Sequence, residues 1–221
     1  MDRSRPEGPD YLIIDNFVDI FSDFEMADLI NTRNEVQALT EQFCISEEDQ
    51  KHARCDNLVW IQNLIDNGEA TPALKQIAFS MASFRETLNE SSQSEQGDKT
   101  LRVDAQEEIM ISKFNGASPR DQEYQRHKDS YVRDKNNEIH GSELRKLSMV
   151  IFLNDNLEEV YQLPEAQKGM LRLYTKGESV EGVIDISPRL GRAVFFKSEE
   201  MLHKVMSSYK WDNYAVTFYF N

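Results

Sequence analysis

Two histidines and one aspartate are the residues of this chain best suited to binding a metal ion. His127 and Asp129 are separated by a single residue, so on an extended strand both side chains project to the same side. His203 lies much further along the chain and can join them if its segment forms a neighbouring strand. Two imidazoles and one carboxylate form a facial triad with open coordination positions, the arrangement expected of non-haem Fe(II) oxygenases. Because a His-X-Asp triplet also occurs by chance, the surrounding elements must support this interpretation.

Short apolar runs separated by polar turns dominate the chain from about residue 106 onward and predict the strands of a jelly roll or barrel. The runs are Glu108–Phe114, Leu147–Leu153, Met170–Tyr174, Gly182–Ile186, Ala193–Phe196 and Tyr214–Phe220. The triad lies inside this all-β half, which could bring its three residues together. The charged segment 130–145 is either a lid over the metal or an ordinary solvated loop.

The first hundred residues predict helices that support these strands. Thr71 and Pro72 have the residue types of an N-cap and a first helical position. The apolar face of that helix comprises Leu74, Ile77, Ala78, Met81, Phe84 and Leu88. A capping-box spacing over residues 22–25 predicts an earlier helix. Its inner face comprises Met26, Leu29, Ile30 and Val36. Residues 11–17 and 57–61 are predicted strands.

Length and charge indicate one compact domain that does not bind nucleic acid. A chain of 221 residues can bury a sizeable core, and we expect a disordered tail over residues 1–9 followed by one domain over 10–221. Its helical support spans 10–100 and its jelly-roll core 106–221. The 39 acidic and 25 basic residues give a net charge of -14, which repels a nucleic-acid backbone. This charge is compatible with a polypeptide or small-molecule substrate.

Cysteine usage and hydropathy indicate an intracellular protein. The two cysteines, Cys44 and Cys55, lack the spacing of a zinc module and are interpreted as free thiols in a reducing compartment. The sequence has no signal-like apolar region at its N-terminus, and no apolar run approaches the roughly 18 residues of a membrane span. We therefore expect a protein of the cytoplasm or nucleus that does not associate with membranes. We also expect it to be a monomer.

An ordered series of motifs surrounds the triad. The motifs are Arg54-Cys-Asp56-Asn-Leu-Val-Trp60, then residues 111–116, 124–129, 145–154, 169–172, 186–196, 203–205 and 213–219. In this order they resemble the Fe(II)- and 2-oxoglutarate-dependent dioxygenases, and within them the intracellular prolyl hydroxylases that modify hypoxia-inducible factor. The resemblance covers roughly residues 50 to 221. It implies a double-stranded β-helix, which is a cupin-like jelly roll, supported by N-terminal helices.

The resemblance also implies a reaction. His127, Asp129 and His203 would hold Fe(II), 2-oxoglutarate would chelate the iron, and O2 would take the last position. Decarboxylation of 2-oxoglutarate to succinate would accompany hydroxylation of a C–H bond, with a prolyl residue of a protein as the implied substrate. Halogenases of the superfamily lack the carboxylate, so Asp129 favours hydroxylation. Hydroxylation of another amino acid or small molecule, and a non-catalytic metal-binding interaction protein, remain open alternatives.

Three positions of the implied cosubstrate pocket depart from the pattern that the resemblance implies, and a fourth, Ser148, retains a hydroxyl. Family members anchor the distal carboxylate with Arg or Lys where this chain has Asn213. They offer tyrosine hydroxyls at the positions of Phe114 and Phe152, and a threonine hydroxyl at that of Ser148. We expect the cation to come from elsewhere, the candidates being Lys210, Arg145, Lys146 and Arg172. A different acid in the pocket, or metal binding without turnover, are the alternatives.

A further segment bears on the substrate. Arg54, Asp56 and Trp60 resemble a family segment that lies beside the active site and contacts peptide substrate. In the family its aspartate commonly forms a salt bridge to the arginine that Arg145 resembles. Stabilisation of the barrel edge by Asp56 and Trp60 is an equally good interpretation.

Overall fold

The computed structural model describes residues 11–19, 25–40, 57–94, 107–116, 124–130, 132–133, 139–140, 145–154, 160, 162–164, 168–177, 182–208 and 211–220. Within these ranges the helices lie in the first half of the chain and most strands in the second, which confirms the predicted α+β class. The predicted tail over residues 1–9 lies outside them, as does much of the charged segment 130–145.

The elements are as follows. The helices are α1 (Met26–Thr40), α2 (Ile61–Asp66) and α3 (Pro72–Ser94), and a 3-10 turn covers Phe17–Asp19. The strands are β1 (Tyr11–Ile14), β2 (Asn57–Trp60), β3 (Glu107–Phe114), β4 (Tyr124–His127), β5 (Val132–Arg133), β6 (Ile139–His140), β7 (Leu147–Phe152), β8 (Leu171–Tyr174), β9 (Val183–Ile186), β10 (Ala193–Lys197), β11 (Leu202–Val205) and β12 (Asn213–Phe220). Among the described helices, none has the length and apolar character to cross a membrane.

Two antiparallel sheets form the core of the molecule. The larger sheet has six strands in the order β1-β10-β7-β12-β3-β2, and the smaller has four in the order β4-β11-β8-β9. Strands β5 and β6 form a separate pair. Apolar side chains from both sheets pack together in one cluster, which includes Phe152, Leu171, Leu173 and Phe196. This arrangement confirms the predicted jelly roll, since its strands bury alternating residues between the sheets.

The other face of the larger sheet packs against the helices. Ile77, Met81 and Phe84 of α3 are buried there with Ile151 of β7 and Phe218 of β12. Both faces of the larger sheet are therefore covered, which explains why all eight residues of β12 are buried. The apolar face predicted for α3 is the face that supports this sheet.

The start of α3 matches its predicted cap. Helix α3 begins at Pro72, and the Leu74 backbone N–H donates a 3.3 Å hydrogen bond to Thr71 Oγ1. The Thr71 hydroxyl also donates to the Glu35 carboxylate on α1, so the cap links two helices. Thr71 therefore supports both the beginning of α3 and its packing against α1.

Thr71→Ala should destabilise the protein by about 1 kcal/mol, because it leaves a helix N-terminal N–H without its side-chain acceptor. Thr87→Ala is the matched control, since Thr87 is exposed within α3 and donates only to the Ser83 carbonyl oxygen on its own helix. Urea denaturation of both variants measures the difference. Equal stabilities would show that the cap contributes nothing.

Two details differ from the sequence-based prediction. The predicted strand over residues 57–61 ends at Trp60, and Ile61 begins the short helix α2. Strands β4 and β11 were not among the predicted apolar runs, because each has four residues and half or more of them are polar. These two short strands carry both histidines of the triad.

Candidate metal centre

Strands β4 and β11 place the two histidines of the triad opposite each other. The strands are antiparallel neighbours, and His203 is the register partner of His127. Their ring centroids lie 4.2 Å apart. Asp129 follows β4 by two residues, so its side chain comes to the same side as His127. The neighbouring strands expected from the sequence are therefore present.

The three side chains converge on one point. The Asp129 Oδ1 atom lies 3.4 Å from His127 Nε2 and 3.6 Å from His203 Nε2. One ligand atom from each of the three residues lies within 4.8 Å of the others, and in the described part of the chain no other group of His, Cys, Asp or Glu does so. Such a set of two nitrogens and one oxygen can hold a single divalent ion.

The environment of His203 prepares it to be a ligand. Its Nδ1 lies 3.1 Å from the Met201 carbonyl oxygen, which can only accept, so Nδ1 carries the proton and the Nε2 lone pair faces the triad. The Phe196 ring packs against the imidazole at 4.7 Å. Burial, together with the neighbouring His127, lowers the pKa of His203 to about 4. The imidazole is therefore neutral near pH 7, as metal binding requires.

Asp129 supplies the negative charge. Burial on its own would raise the pKa of Asp129, but the interactions with His203 and His127 outweigh it and hold this pKa below its usual range. The carboxylate is therefore ionised. Its Oδ2 atom is buried and has no hydrogen-bond partner in the described part of the chain. A buried, ionised carboxylate beside the Nε2 atoms of two imidazoles fits a cation such as Fe(II).

A cavity leads from the triad between the two sheets. Its lining is mainly apolar, and the side chains include Met110, Phe114, Val150, Phe152, Leu171 and Val205. Besides the triad, the polar side chains among its described lining are Ser112, Asn213, Thr217 and Tyr219. These residues alternate along β3, β7 and β12 with those that face the helices. Met110, Ser112, Thr217 and Tyr219 were not among the predicted site residues. The two-residue period of each strand nevertheless places them on the same face as Phe114 and Asn213.

The four positions implied for the cosubstrate lie on the face of the larger sheet that lines the cavity. Their side chains differ in whether they can bond to a ligand. Phe114, Phe152 and Asn213 line the cavity. The Asn213 side chain is held by protein groups, since Nδ2 donates to the Gly169 carbonyl oxygen at 3.0 Å and Oδ1 accepts from Asn154 Nδ2 at 2.8 Å. The Ser148 hydroxyl is buried and forms a 2.8 Å hydrogen bond with that of Ser198.

Arg172 does not supply the cation that was expected to anchor the distal carboxylate of the cosubstrate. This residue forms two 2.7 Å bonds with Asp185 on the neighbouring strand β9. Leu171 and Leu173 on either side of it are buried between the sheets, so Arg172 faces the opposite side of the smaller sheet. Arg172 is therefore wrong as a candidate for this cation. Lys146 is exposed just before β7, and Lys210 lies outside the described residues.

Arg145 lies near the triad but is held by other groups. It donates to the Asp129 carbonyl oxygen at 3.3 Å and to Glu108 Oε2 at 2.7 Å. Its guanidinium carbon lies 3.8 Å from the centroid of the Tyr219 ring and 5.6 Å from that of Trp60. We call Trp60, Arg145 and Tyr219 the aromatic–arginine cluster. Arg145 is not among the residues that line the cavity.

The partner of Arg145 in the structure is Glu108. The sequence suggested Asp56 for this role, but Arg54 and Asp56 lie outside the described residues. Glu108 is the register partner of Tyr219, which places its carboxylate beside the guanidinium stacked on that ring. The register between β3 and β12 creates this ion pair, and the sequence alone does not give that register.

The segment that contains the triad matches a known protein family. The family model described as the 2OG-Fe(II) oxygenase superfamily matches residues 110–221, half of the chain, and the matched segment contains all three residues of the triad. No curated protein sequence matches the chain.

Solved structures share the fold at low sequence identity. A prolyl-4-hydroxylase from Pseudomonas putida has a TM-score of 0.66 at 19% identity, over 96% of this chain and 91% of that one. A prolyl hydroxylase from Trichoplax adhaerens, in complex with a hypoxia-inducible-factor peptide fragment, has a TM-score of 0.58 at 19% identity, over 96% and 83%. The viral collagen prolyl hydroxylase from Paramecium Bursaria Chlorella virus-1 has a TM-score of 0.57 at 13% identity, over 97% of each chain.

The match over half the chain agrees with the fold and with the converging triad. Enzymes of this family are dioxygenases that use Fe(II), 2-oxoglutarate and O2. The chain belongs to the 2OG-Fe(II) oxygenase superfamily.

Proposed function

We propose that this chain is a prolyl hydroxylase of a protein or peptide substrate, with His127, Asp129 and His203 as its iron ligands. The observation that carries the choice of substrate is the aromatic–arginine cluster, which adjoins the triad through the bond from Arg145 to the Asp129 carbonyl oxygen. Aromatic faces pack well against an apolar ring such as that of proline. The solved prolyl hydroxylases of the same fold support this choice.

The protein's part in the reaction is to hold and shield the reacting groups. Bound Fe(II) with 2-oxoglutarate and O2 supplies the oxidation that converts a C–H bond into an alcohol. His203 is fixed by the Met201 carbonyl oxygen and by the Phe196 ring, so its Nε2 keeps one direction. The apolar side chains around the cavity exclude water from the metal's surroundings, which limits side reactions of the oxidant.

Within the aromatic–arginine cluster, Trp60 is the residue best placed to contact substrate. Tyr219 is buried, whereas Trp60 is partly exposed at the edge of the larger sheet. The two rings lie 6.1 Å apart, and the Arg145 guanidinium lies over both. Arg145 acts as a positioning residue, because its Nε and Nη2 bond to Glu108 and its Nη1 to Asp129.

Trp60→Ala should raise the KM for a proline-containing peptide roughly tenfold, because truncating an aromatic contact at a binding surface costs ~1.4 kcal/mol or more. Turnover of 2-oxoglutarate without peptide should not change. The matched control is Phe79→Ala, since Phe79 is 66% exposed on α3 and does not line the cavity. Peptide hydroxylation followed by mass spectrometry gives both kinetic constants.

The substrate class needs a separate experiment. The purified enzyme with Fe(II) and 2-oxoglutarate should add one oxygen atom to prolyl residues in a peptide library and none to matched peptides in which valine replaces proline. Succinate release would accompany each hydroxylation. Hydroxylation of free amino acids or small molecules alone would reject the peptide substrate and keep the dioxygenase, whereas absence of succinate release under every condition would reject turnover altogether.

A further inference from the structure

Along β12, Tyr219 and Asn213 lie at opposite ends of the cavity. A network of side-chain amides closes the end at Asn213. Asn213 is 1% exposed, and both groups of its side-chain amide bond to Gly169 and Asn154. Asn154 also donates to the Pro188 carbonyl oxygen at 3.0 Å, and its own Oδ1 accepts from the Tyr214 backbone N–H at 2.7 Å. One donated and one accepted hydrogen bond therefore hold the Asn213 amide in the cavity wall.

The packing at this end leaves little freedom to rearrange the wall. Gly169 has a φ of 62°, and a Cβ at this position would lie 2.9 Å from Asn213 Nδ2 and 2.9 Å from the Trp211 ring. The glycine thus allows close approach of the backbone to the amide. Asn213 cannot turn toward a ligand without breaking two buried hydrogen bonds.

The neighbouring surfaces of the cavity are apolar. Phe114 is the register partner of Asn213. Ala215 is the next residue of β12 that lines the cavity, and its register partner is Phe152. Both phenylalanines are buried, and their rings offer no hydrogen bond to an anion. Leu171 and Val205 are further apolar residues of the same cavity lining.

One buried cation near this wall in the chain, Lys113, is already paired with an acidic residue. Lys113 Nζ lies 3.2 Å from Asp212 Oδ2, and its side chain is largely buried. Lys113 is the register partner of Tyr214 and alternates with Ser112 and Phe114, so it lies on the face of β3 away from the cavity. Its charge therefore compensates Asp212.

We propose that this cavity binds 2-oxo acids through apolar contact with their tails, so that an uncharged tail binds at least as well as the distal carboxylate of 2-oxoglutarate. None of the described residues that line the cavity is a lysine or arginine, so a carboxylate buried against the aromatic rings loses its hydration without a cationic partner among them. An apolar tail of the same shape gains from burial in the same space. Phe114, Phe152 and Asn213 are the residues that determine this selectivity.

The test compares two ligands of the same shape. In 5-methyl-2-oxohexanoate, two methyl groups replace the two oxygens of the distal carboxylate of 2-oxoglutarate. Calorimetric titration of the Mn(II)-loaded protein, with metal binding measured first, should give a dissociation constant for the analogue that is equal to or lower than that for 2-oxoglutarate. A preference of tenfold or more for 2-oxoglutarate would overturn the proposal. The proposal rests on the proposed metal triad, so failure of Mn(II) to bind would refute both.

Variants identify the residues that set the preference. Phe114→Tyr and Phe152→Tyr each add a hydroxyl inside the cavity and should shift the ratio of the two constants at least fivefold toward 2-oxoglutarate. Phe79→Tyr is the matched control and should leave the ratio unchanged, because Phe79 is exposed on α3. Lys210→Ala should also leave it unchanged. A tenfold loss of affinity for 2-oxoglutarate alone in Lys210→Ala would show that this lysine holds the carboxylate, which would contradict the proposal.

Discussion

Asp129→Asn is expected to lower the affinity for Fe(II) by at least about 100-fold and to abolish hydroxylation, because loss of a ligand costs more than the 10- to 100-fold typical of residues that only support ligands. The amide has nearly the same volume as the carboxylate, so packing around it should survive. What is lost is the anionic oxygen that faces the Nε2 atoms of His127 and His203. His127→Ala should have the same effect.

The effect can be separated from a general loss of charge. Glu200→Gln is the matched control, because Glu200 is exposed and pairs only with Lys197 on the surface at 3.1 Å. Anaerobic titration with Fe(II) measures affinity, and circular dichroism checks that the variants are folded. A folded Asp129→Asn variant that retains full metal affinity and turnover would rule out the triad as the metal centre.

Phe84→Ala is expected to destabilise the protein by about 3–5 kcal/mol, the usual cost of removing a buried aromatic side chain. The Phe84 ring contacts those of Phe17, Phe195 and Phe220, with centroid distances of 5.7, 5.8 and 6.0 Å. These rings come from the 3-10 turn, β10 and β12, so one truncation opens a cavity where the helical layer meets the sheet. A typical domain has a net stability of only about 5–15 kcal/mol.

Urea denaturation of Phe84→Ala beside Phe79→Ala measures this effect. Both residues lie on α3, but Phe79 is exposed, so its truncation should change stability by no more than about 0.5 kcal/mol. If the two variants were equally stable, the packing of α3 on the larger sheet would not be a major source of stability.

The parts of the fold that the sequence predicted are those in which one physical effect dominates. Strands β7 and β12 are buried on both faces, so they are continuous apolar runs that are easily recognised. Helix α3 has a cap, a first-position proline and one apolar stripe. Strands β4 and β11 are short and carry the polar side chains of the site, so periodicity does not identify them.

The candidate site could also be predicted only in part. His127, Asp129 and His203 could be named from residue type and motif, because few side chains bind metal well. The partners that orient them, such as the Met201 carbonyl oxygen, come from backbone geometry that no residue type encodes. The wrong expectation for Arg172 was avoidable, since the leucines on either side of it already indicated an outward-facing residue. Glu108 as the partner of Arg145 depends on strand register.

The position of β12 has a consequence for how the molecule forms. It is the last strand in chain order, yet it lies in the middle of the larger sheet, paired with both β7 and β3. During synthesis from the N-terminus, the six-stranded sheet therefore cannot form completely until residues 213–220 have left the ribosome. Its pairing with β3 spans about a hundred residues, a long-range contact that slows folding. Until then β3 and β7 both have unpaired edges, so a chaperone that covers exposed strand edges should bind nascent chains that stop short of β12.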